Sequence, residues 1–437
     1  MSARRLALSI LNDIELHKSF AHIAAPAALS TSDLEARDKG LVTELVYGVL
    51  RNQLALDWLI DKFASRPVAR IEPQLLNLLR LGVYQLVYLD KIPGHAAVDT
   101  SVDLAKEQFR PGVEKFVNAV LRSAARGREA LPWPKRGREL THYLSVFYSH
   151  PRWLVELWID ELGVETTEAL LIADNKRPKV TLRANTIKTS PQALADLLRQ
   201  AGIEAAADNI CPEAIVPAGQ NIPENIIADG LAYVQNSASI AVGHAIAPKK
   251  GESVIDFCAA PGGKATHLAQ LMGDDGRVIA VDINASRLKL VEDNCRRLGV
   301  NIVKCVKGDA TKSLSLPEVD HVLVDAPCSG LGVLARRPDS RWRKTAADIP
   351  RLAALQLGIV NNVAKHVKKG GTLTYSVCTI SNAETYGVIE QFNSAHPDFR
   401  PKPVEIPGQT FAESPYARFW PHLHGTDGMF IAQWRRY

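Results

Sequence analysis

The chain has 437 residues, 46% of them apolar and 23% charged, with a net charge of +5. That length exceeds one ordinary hydrophobic core, so two or three domains are expected. The balance is that of a soluble globular protein, no apolar run reaches the roughly 18 residues that would cross a bilayer, and +5 alone is too weak to imply a nucleic-acid partner.

The opening stretch MSARRLALSILNDIELH is basic, but its apolar run stops at Asn12, Asp13 and Glu15. It reads as the start of an amphipathic helix, not as a secretory signal. Helical spacing recurs in KGLVTELVYGVLRNQLALDWLIDKF, PQLLNLLRLGVYQLVYL and EKFVNAVLRSAA, with breaks at Pro67, Pro73, IPGH and RPG. Residues 1–130 are expected to form an all-helical bundle. GREALPWPKRGREL then reads as a linker. A small α+β module is expected over 141–240: HPRWLVELWIDELG is helical, KVTLRANTI is a strand, and SPQALADLLRQAG is a capped helix closed by Gly202. Trp153 and Trp158 lie five apart on that first helix and are read as packing residues.

From 241 to 437 the pattern changes. Apolar runs at 253–257, 278–281, 302–306, 320–324 and 372–377 alternate with helical stretches at 264–272, 285–298, 351–367 and 382–394, which predicts a parallel, doubly wound α/β sheet. The tail GMFIAQWRR reads as a final strand. Six cysteines stand singly, with no CxxC pair to suggest a metal, so no metal site is expected. A reducing cytoplasm is the expected location. Two basic segments stand out. Arg122, Arg126, Arg128, Lys135, Arg136 and Arg138 face one acid, Glu129; Arg336, Arg337, Arg341, Arg343 and Lys344 face Asp339. Together they favour an RNA or DNA partner.

VIDFCAAPGGKATHLAQLM is a strand, a small-residue loop and a helix, in which Gly262 and Gly263 let backbone approach a ligand closely. It is neither GxGxxG nor a Walker loop. Asp282 ends the next strand, where such sheets place a carboxylate on a ribose hydroxyl pair. Asp309 follows the third strand and can accept from an adenine amine. A lone strand-end Asp is more often a helix cap; acids at successive strand ends, Asp282 and Asp309 among them, favour an adenosine-containing ligand.

The strand ending at Asp325 and the strand before Cys378 are expected to be neighbours, which would bring Cys328 and Cys378 into one cleft. Methylation at C5 of a pyrimidine uses such equipment. A thiolate adds at C6, C5 becomes enamine-like, the methyl arrives, and the C5 proton leaves with the thiol. Asp325, if protonated, can hydrogen-bond the base.

DFCAAPGGKAT, DAPCSGLGVLARRPDSRW and TYSVCTISNAE resemble the RNA cytosine-5 methyltransferases that use S-adenosylmethionine, and the helical first segment resembles the RNA-binding domain of the antitermination factor NusB. Together they resemble the bacterial ribosomal small-subunit methyltransferase B family (Sun or Fmu), over essentially the whole chain. The resemblance implies a NusB-like helical domain, a small α+β module that positions RNA, and a Rossmann-like class I methyltransferase domain. It implies Cys378 as the nucleophile, Cys328 as the thiol that aids product release, Asp325 as the base contact, and Lys264 beside them. Around the cofactor it implies Cys258, Ala259, Ala260, Pro261, Gly262, Gly263, Lys264, Asp282, Arg287, Asp309 and Asp325. The implied acceptor is a cytosine of 16S ribosomal RNA, with no membrane partner and a monomeric enzyme.

Val377 stands where the family usually has Thr, SNAET replaces Pro-Glu-Glu-Asn and leaves Glu384 as the only nearby acid, and VQNSAS replaces Gln-Asp-Glu-Ala-Ser. Three alternatives remain at this level: a transfer-RNA acceptor, a DNA cytosine-5 enzyme attacking through Cys328, and a non-catalytic RNA-binding factor. Ser329 after the Pro-Cys pair, where DNA enzymes usually carry Gln, argues against the second.

Overall fold

A computed structural model describes every residue except Met1, Arg138, Gln220 and Ala412. Compactness divides the chain into two units. One comprises Met1–Lys176 with Leu334–Lys344; the other comprises Arg177–Val333 with Thr345–Tyr437.

The first unit is helical. Ala3–Leu16, Ala36–Arg51, Gln53–Phe63, Pro73–Tyr88 and Val113–Arg126 supply the stripes read from the sequence, and two more helices, Ala21–Ser30 and Gly94–Gln108, complete the bundle. Leu8, Leu45, Leu56, Leu78, Leu79, Val83 and Leu121 are buried in one core, each such side chain contributing about 1.5–3 kcal/mol of transfer free energy. The long apolar run at 39–63 is two helices, not one. Its break is Asn52, whose backbone turns out of the helical region and whose side-chain amide donates to the Gly48 carbonyl. Gly48 is needed because a Cβ there would lie 2.0 Å from the Tyr84 ring. The proline-rich linker is packed: Trp58 donates to Pro132 O at 2.8 Å, and Trp133 lies against the core. The helices at Leu140–Phe147, Arg152–Leu162 and Val164–Asn175, read from sequence as the start of the α+β module, belong to this helical unit. Trp158 is fully buried, as its packing role requires.

Leu334–Lys344 also packs here, which corrects part of the basic-surface reading. Arg341 is wholly buried and donates to the carbonyls of Arg51, Ser149 and Asp174 and to Asn175 Oδ1. Arg343 donates to the Lys18 and Ser19 carbonyls and stacks on Phe20. Five donors on a planar fork suit Arg to satisfying converging carbonyls, so Arg341 is not available to RNA and Arg343 commits donors to the fold. Arg138, in the other basic segment, lies outside the described residues.

The second unit holds two sheets. A small antiparallel one contains β1 (Leu182–Ala184), β2 (Ala205–Ala207), β3 (Ala214–Pro217) and β4 (Ala232–Val234) in the order β2-β3-β1-β4. The helix Pro191–Gln200 covers it; Ser190 caps that helix by accepting from the Ala193 N–H. The large sheet contains β5 (Ser253–Phe257), β6 (Arg277–Asp282), β7 (Val303–Lys307), β8 (Val319–Asp325), β9 (Val367–Val377), β10 (Phe399–Lys402), β11 (Ala417–Phe419) and β12 (Met429–Arg436). Its order is β10-β12-β9-β8-β5-β6-β7, with β11 on β12. β7, β6, β5, β8 and β9 run parallel, and β12 returns antiparallel. The central strand β5 is buried along its whole length and reads as an apolar run, whereas the edge strand β7 (VKCVK) is only half-buried. Val254 and Ile255 pack into cores on opposite faces. Strand order reverses between β5 and β8, so their carboxyl ends open the crevice where ligands bind in such sheets.

Candidate active site

The two cysteines arrive on neighbouring strands. β8 and β9 pair in parallel with Asp325 opposite Ser376, and the Ala326 N–H extends the pairing to Ser376 O at 3.0 Å. The chain then turns through Pro327 to Cys328 on one side and steps to Cys378 on the other. Their sulfurs lie 3.3 Å apart, and both residues are partly exposed. The Gly332 N–H donates to Cys378 O at 3.0 Å, tying the loop after Cys328 to the end of β9.

Charge surrounds this pair unevenly. Lys264 Nζ donates to Asp325 Oδ2 at 2.8 Å, and Ser376 Oγ donates to Oδ1 at 2.9 Å. Asp325, read from sequence as a proton-bearing contact to the base, thus accepts at both oxygens here. Burial by itself would lower the Lys264 ammonium, but Asp325, helped by Cys378, holds it above its usual value. The Cys328 thiol is held well above the usual range by its hydrogen bond to Cys378, by burial and by the Cys378 and Glu384 charges. Behind them, burial and the Asp325 charge push the Asp256 carboxyl well up, against the pull of Lys264.

The small-residue loop sits at the end of β5. Cys258 has φ +62°, a left-handed conformation that costs a non-glycine residue ~1–3 kcal/mol; burial pushes its thiol up to about 12, so it serves the loop's shape and not as a thiolate. Gly262, at φ +100°, starts the helix Gly263–Leu271 and runs so close to Val291 that a Cβ would meet it at 3.0 Å. Asp282 is buried; its oxygens accept the N–H groups of Ala260 (3.2 Å) and Asn284 (2.9 Å). Arg287 donates to Ala260 O at 2.7 Å. Asp282 and Arg287 therefore hold the two backbone polar groups of Ala260, the N–H and the carbonyl, in successive peptides of the loop. Asp309 accepts from the Thr311 N–H and hydroxyl, which hold its carboxyl below the usual range. These bonds close an Asx-type turn in the loop that follows β7.

Residues beyond the motif positions implied for catalysis complete the site. Arg183, buried on β1, donates to Gly263 O at 2.5 Å, to Thr266 Oγ1 at 3.0 Å and to Gln235 Oε1, and so braces the first turn of the loop's helix from the small sheet. A charged residue inside the apolar run of KVTLRANTI was the only signal. Glu384 is fully buried and bonded to residues beside both cysteines. Val377 is buried in the sheet core opposite Phe430, a position where an apolar side chain fits. One group of metal-ligating type, Glu213, His244 and His267, lies elsewhere in this unit. Its carboxylate accepts directly from both imidazole Nε2 atoms, at 2.9 and 2.6 Å. A cavity of about 620 Å³ lined by His244, Lys402, Phe411 and Tyr416 shares no residue with the cysteine cleft.

Comparison with known proteins bears on all of this. The chain is 37% identical over its full length to a probable ribosomal RNA small subunit methyltransferase B of Bacillus subtilis, covering 99% of that protein. It belongs to the ribosomal RNA small subunit methyltransferase B family. A Klebsiella pneumoniae protein named ribosomal RNA small subunit methyltransferase B is 33% identical, over 99% of this chain and 98% of its own. Family models match in three parts: the NusB family over 1–126, a ferredoxin-like domain of RsmF/B-like methyltransferases over 150–221, and 16S rRNA methyltransferase RsmB/F over 243–435. Among solved structures, PH0851 superposes over the whole chain with a TM-score of 0.84 at 28% identity, covering 99% of that structure. NSun6 from Pyrococcus horikoshii, solved with the S-adenosylmethionine analogue SFG, matches 65% of this chain and 98% of its own with a TM-score of 0.59 at 25% identity.

The expected architecture holds: a NusB-type helical domain, a small mixed module and a Rossmann-like methyltransferase domain. The protein is an S-adenosylmethionine-dependent methyltransferase of this family. Its loop suits that cofactor. The loop's path leaves little room for a side chain at Gly262 or Gly263, where a Cβ would press on Val291 or Tyr233, and Asp282 and Arg287 fix the Ala260 backbone just beyond the carboxyl end of β5.

Proposed function

We propose that the protein methylates C5 of a cytosine in small-subunit (16S) ribosomal RNA, with Cys378 as the nucleophile and Cys328 as the base that releases the product. The observation that carries this reading is the pair of thiols 3.3 Å apart, at the carboxyl ends of adjacent strands, beside the Lys264–Asp325 ion pair. The names carried by the relatives favour ribosomal RNA over transfer RNA or DNA.

In this reading the Cys378 thiolate adds to C6, a C–S bond forms, and the electrons of the C5–C6 double bond shift so that C5 becomes nucleophilic. Asp325 accepts from the exocyclic amine of the base, and Lys264 sets positive charge where the ring gains electrons. S-adenosylmethionine, when bound at 258–264 and Asp282, supplies the electrophilic methyl group for C5. Two of the causes that hold the proton on Cys328, the hydrogen bond and the charge of Cys378, vanish once Cys378 is a thioether. Cys328 then loses its proton to solvent and takes the one on C5 as the C6–S bond breaks. That returns Cys378 as thiolate and Cys328 as thiol, with one proton released per turnover. The base must come from a loop or be taken out of its stack.

Transfer of labelled methyl groups to transcribed 16S ribosomal RNA, transfer RNA and cytosine-containing DNA tests the reading. Label at C5 of cytosine in the ribosomal RNA alone is the expected result. Label confined to transfer RNA or DNA reassigns the acceptor, and no transfer to any of them at saturating cofactor overturns it.

A further inference from the structure

Two thiols 3.3 Å apart are chemically near-equivalent until something separates their roles, and the structure places a buried carboxylate where it can do so. Glu384 has no solvent exposure. Its Oε1 accepts from the Ser329 N–H at 2.8 Å and from Gln356 Nε2 at 2.9 Å. Its Oε2 accepts from the Ser329 hydroxyl at 2.5 Å and the Thr379 hydroxyl at 3.1 Å. Ser329 directly follows Cys328 and Thr379 directly follows Cys378. Gln356 also donates to the Pro327 carbonyl at 3.0 Å, and Tyr375, on β9, donates to Gln356 Oε1 (3.0 Å) and Glu384 O (2.7 Å). The carboxylate is thus the knot joining two loops that are otherwise linked by the Gly332–Cys378 backbone bond.

Resting on the two-cysteine reading, we infer that Glu384 is a positioning residue for that chemistry: it clamps the Cys328 loop to the Cys378 loop and sets negative charge beside Cys328, so that the pair's shared proton stays on Cys328 and Cys378 is the thiol that attacks. The clamp follows from the four bonds, and the charge from where the carboxylate sits, with Oε1 on the N–H of the peptide that joins Cys328 to Ser329. A buried carboxylate with four donors fixes the atoms that carry them, and a misplacement of about 1 Å at a reacting centre can cost ~10²-fold in rate. Like charge disfavours a thiolate at Cys328, and Glu384 is one of the charges acting on that thiol. On the other side, Cys378 interacts with the Lys264 ammonium.

Alkylation separates charge from shape. Iodoacetamide reacts with the thiolate, the C–S bond forming as iodide leaves, and mass spectrometry of the RNA-free enzyme reports how fast each cysteine is capped. The wild type is expected to label at Cys378 well before Cys328. Glu384→Gln keeps the shape, because the Ser329 and Thr379 hydroxyls can turn to accept from the amide, but removes the charge; the preference is expected to shrink ~10-fold. Glu384→Asp keeps the charge and is expected to retain the preference. Glu384→Ala is expected to slow single-turnover methyl transfer ~10-fold or more while S-adenosylmethionine affinity stays unchanged. Ser329→Ala removes one donor and covers the case in which Glu384→Ala does not fold, with transfer several-fold slower expected. An unchanged labelling preference in Glu384→Gln overturns the charge role, and unchanged transfer in both Ser329→Ala and Glu384→Ala overturns the clamp. Because labelling needs no RNA, it judges Glu384 even if the wild type transfers to no RNA, a result that would instead sink the proposed function.

Discussion

Cys328 and Cys378 stand fifty residues apart in the chain and 3.3 Å apart in the protein, because β8 and β9 are parallel neighbours whose register sets Asp325 against Ser376. The contact makes each thiol part of the other's environment. Cys328 holds its proton partly because Cys378 is there, so a change of state at one sulfur is felt at the other.

The division of labour between them is open to direct measurement. Cys378→Ala is expected to lower methyl transfer ~10⁴-fold or more, as loss of a nucleophile does elsewhere, and to abolish any covalent protein–RNA species. Cys328→Ala is expected to accumulate that species on denaturing gels. The opposite pattern, with the adduct lost in Cys328→Ala and kept in Cys378→Ala, would exchange the two roles.

Asp282 is expected to act on the cofactor through the loop. Asp282→Ala strips the acceptor from the Ala260 and Asn284 N–H groups. A hydrogen bond to a charged group is worth ~1.5–3 kcal/mol, so S-adenosylmethionine affinity should fall ~10–100-fold by titration calorimetry. Wild-type affinity in the variant would mean that the loop is held without this carboxylate.

Acid stability tests the buried Glu213–His244–His267 cluster. Burial lowers the His267 imidazole to about 4, with Glu213 opposing; burial by itself would raise Glu213, but the two imidazoles hold it below the usual range. A base depressed in the native state contributes full stability above its unfolded pKa of 6.5 and loses it as pH falls toward 4. His267 should thus cost the native state ~2 kcal/mol between pH 7.5 and pH 5. Urea midpoints at the two pH values should show that loss in the wild type and a much flatter response in His267→Gln. Equal slopes in the two proteins would assign the acid sensitivity elsewhere.

The segment 336–344 divides by burial. Arg341→Met should destabilise the helical unit by ~3 kcal/mol or more, since it strands the carbonyls of Arg51, Ser149 and Asp174. Arg337→Gln, at an exposed position, should leave the melting temperature in place while weakening RNA binding and reducing the slope of log affinity against log salt by about 1. A salt slope that does not move in Arg337→Gln would remove it from the RNA-binding surface.

Much of this protein was legible in its residues. Apolar periodicity marked the helical bundle and the five parallel strands, because burying one stripe or two faces leaves a regular pattern in the chain. Local chemistry also showed in the motifs: small residues at 259–263 where backbone must approach a ligand, and Asp282, Asp325 and Cys378 at or beside strand ends. Tertiary structure alone decided what depends on residues distant in sequence meeting in space. Arg183 carries no motif, yet it reaches the Gly263 carbonyl from another sheet. Arg341 looked like a surface charge and is a buried hub of hydrogen bonds, because only packing shows where its donors end. Glu384 looked like the remnant of an altered motif and proves to bond the residues after both cysteines. Sequence records burial and local geometry through composition and spacing, whereas partners across the fold are chosen by how strands and helices come together.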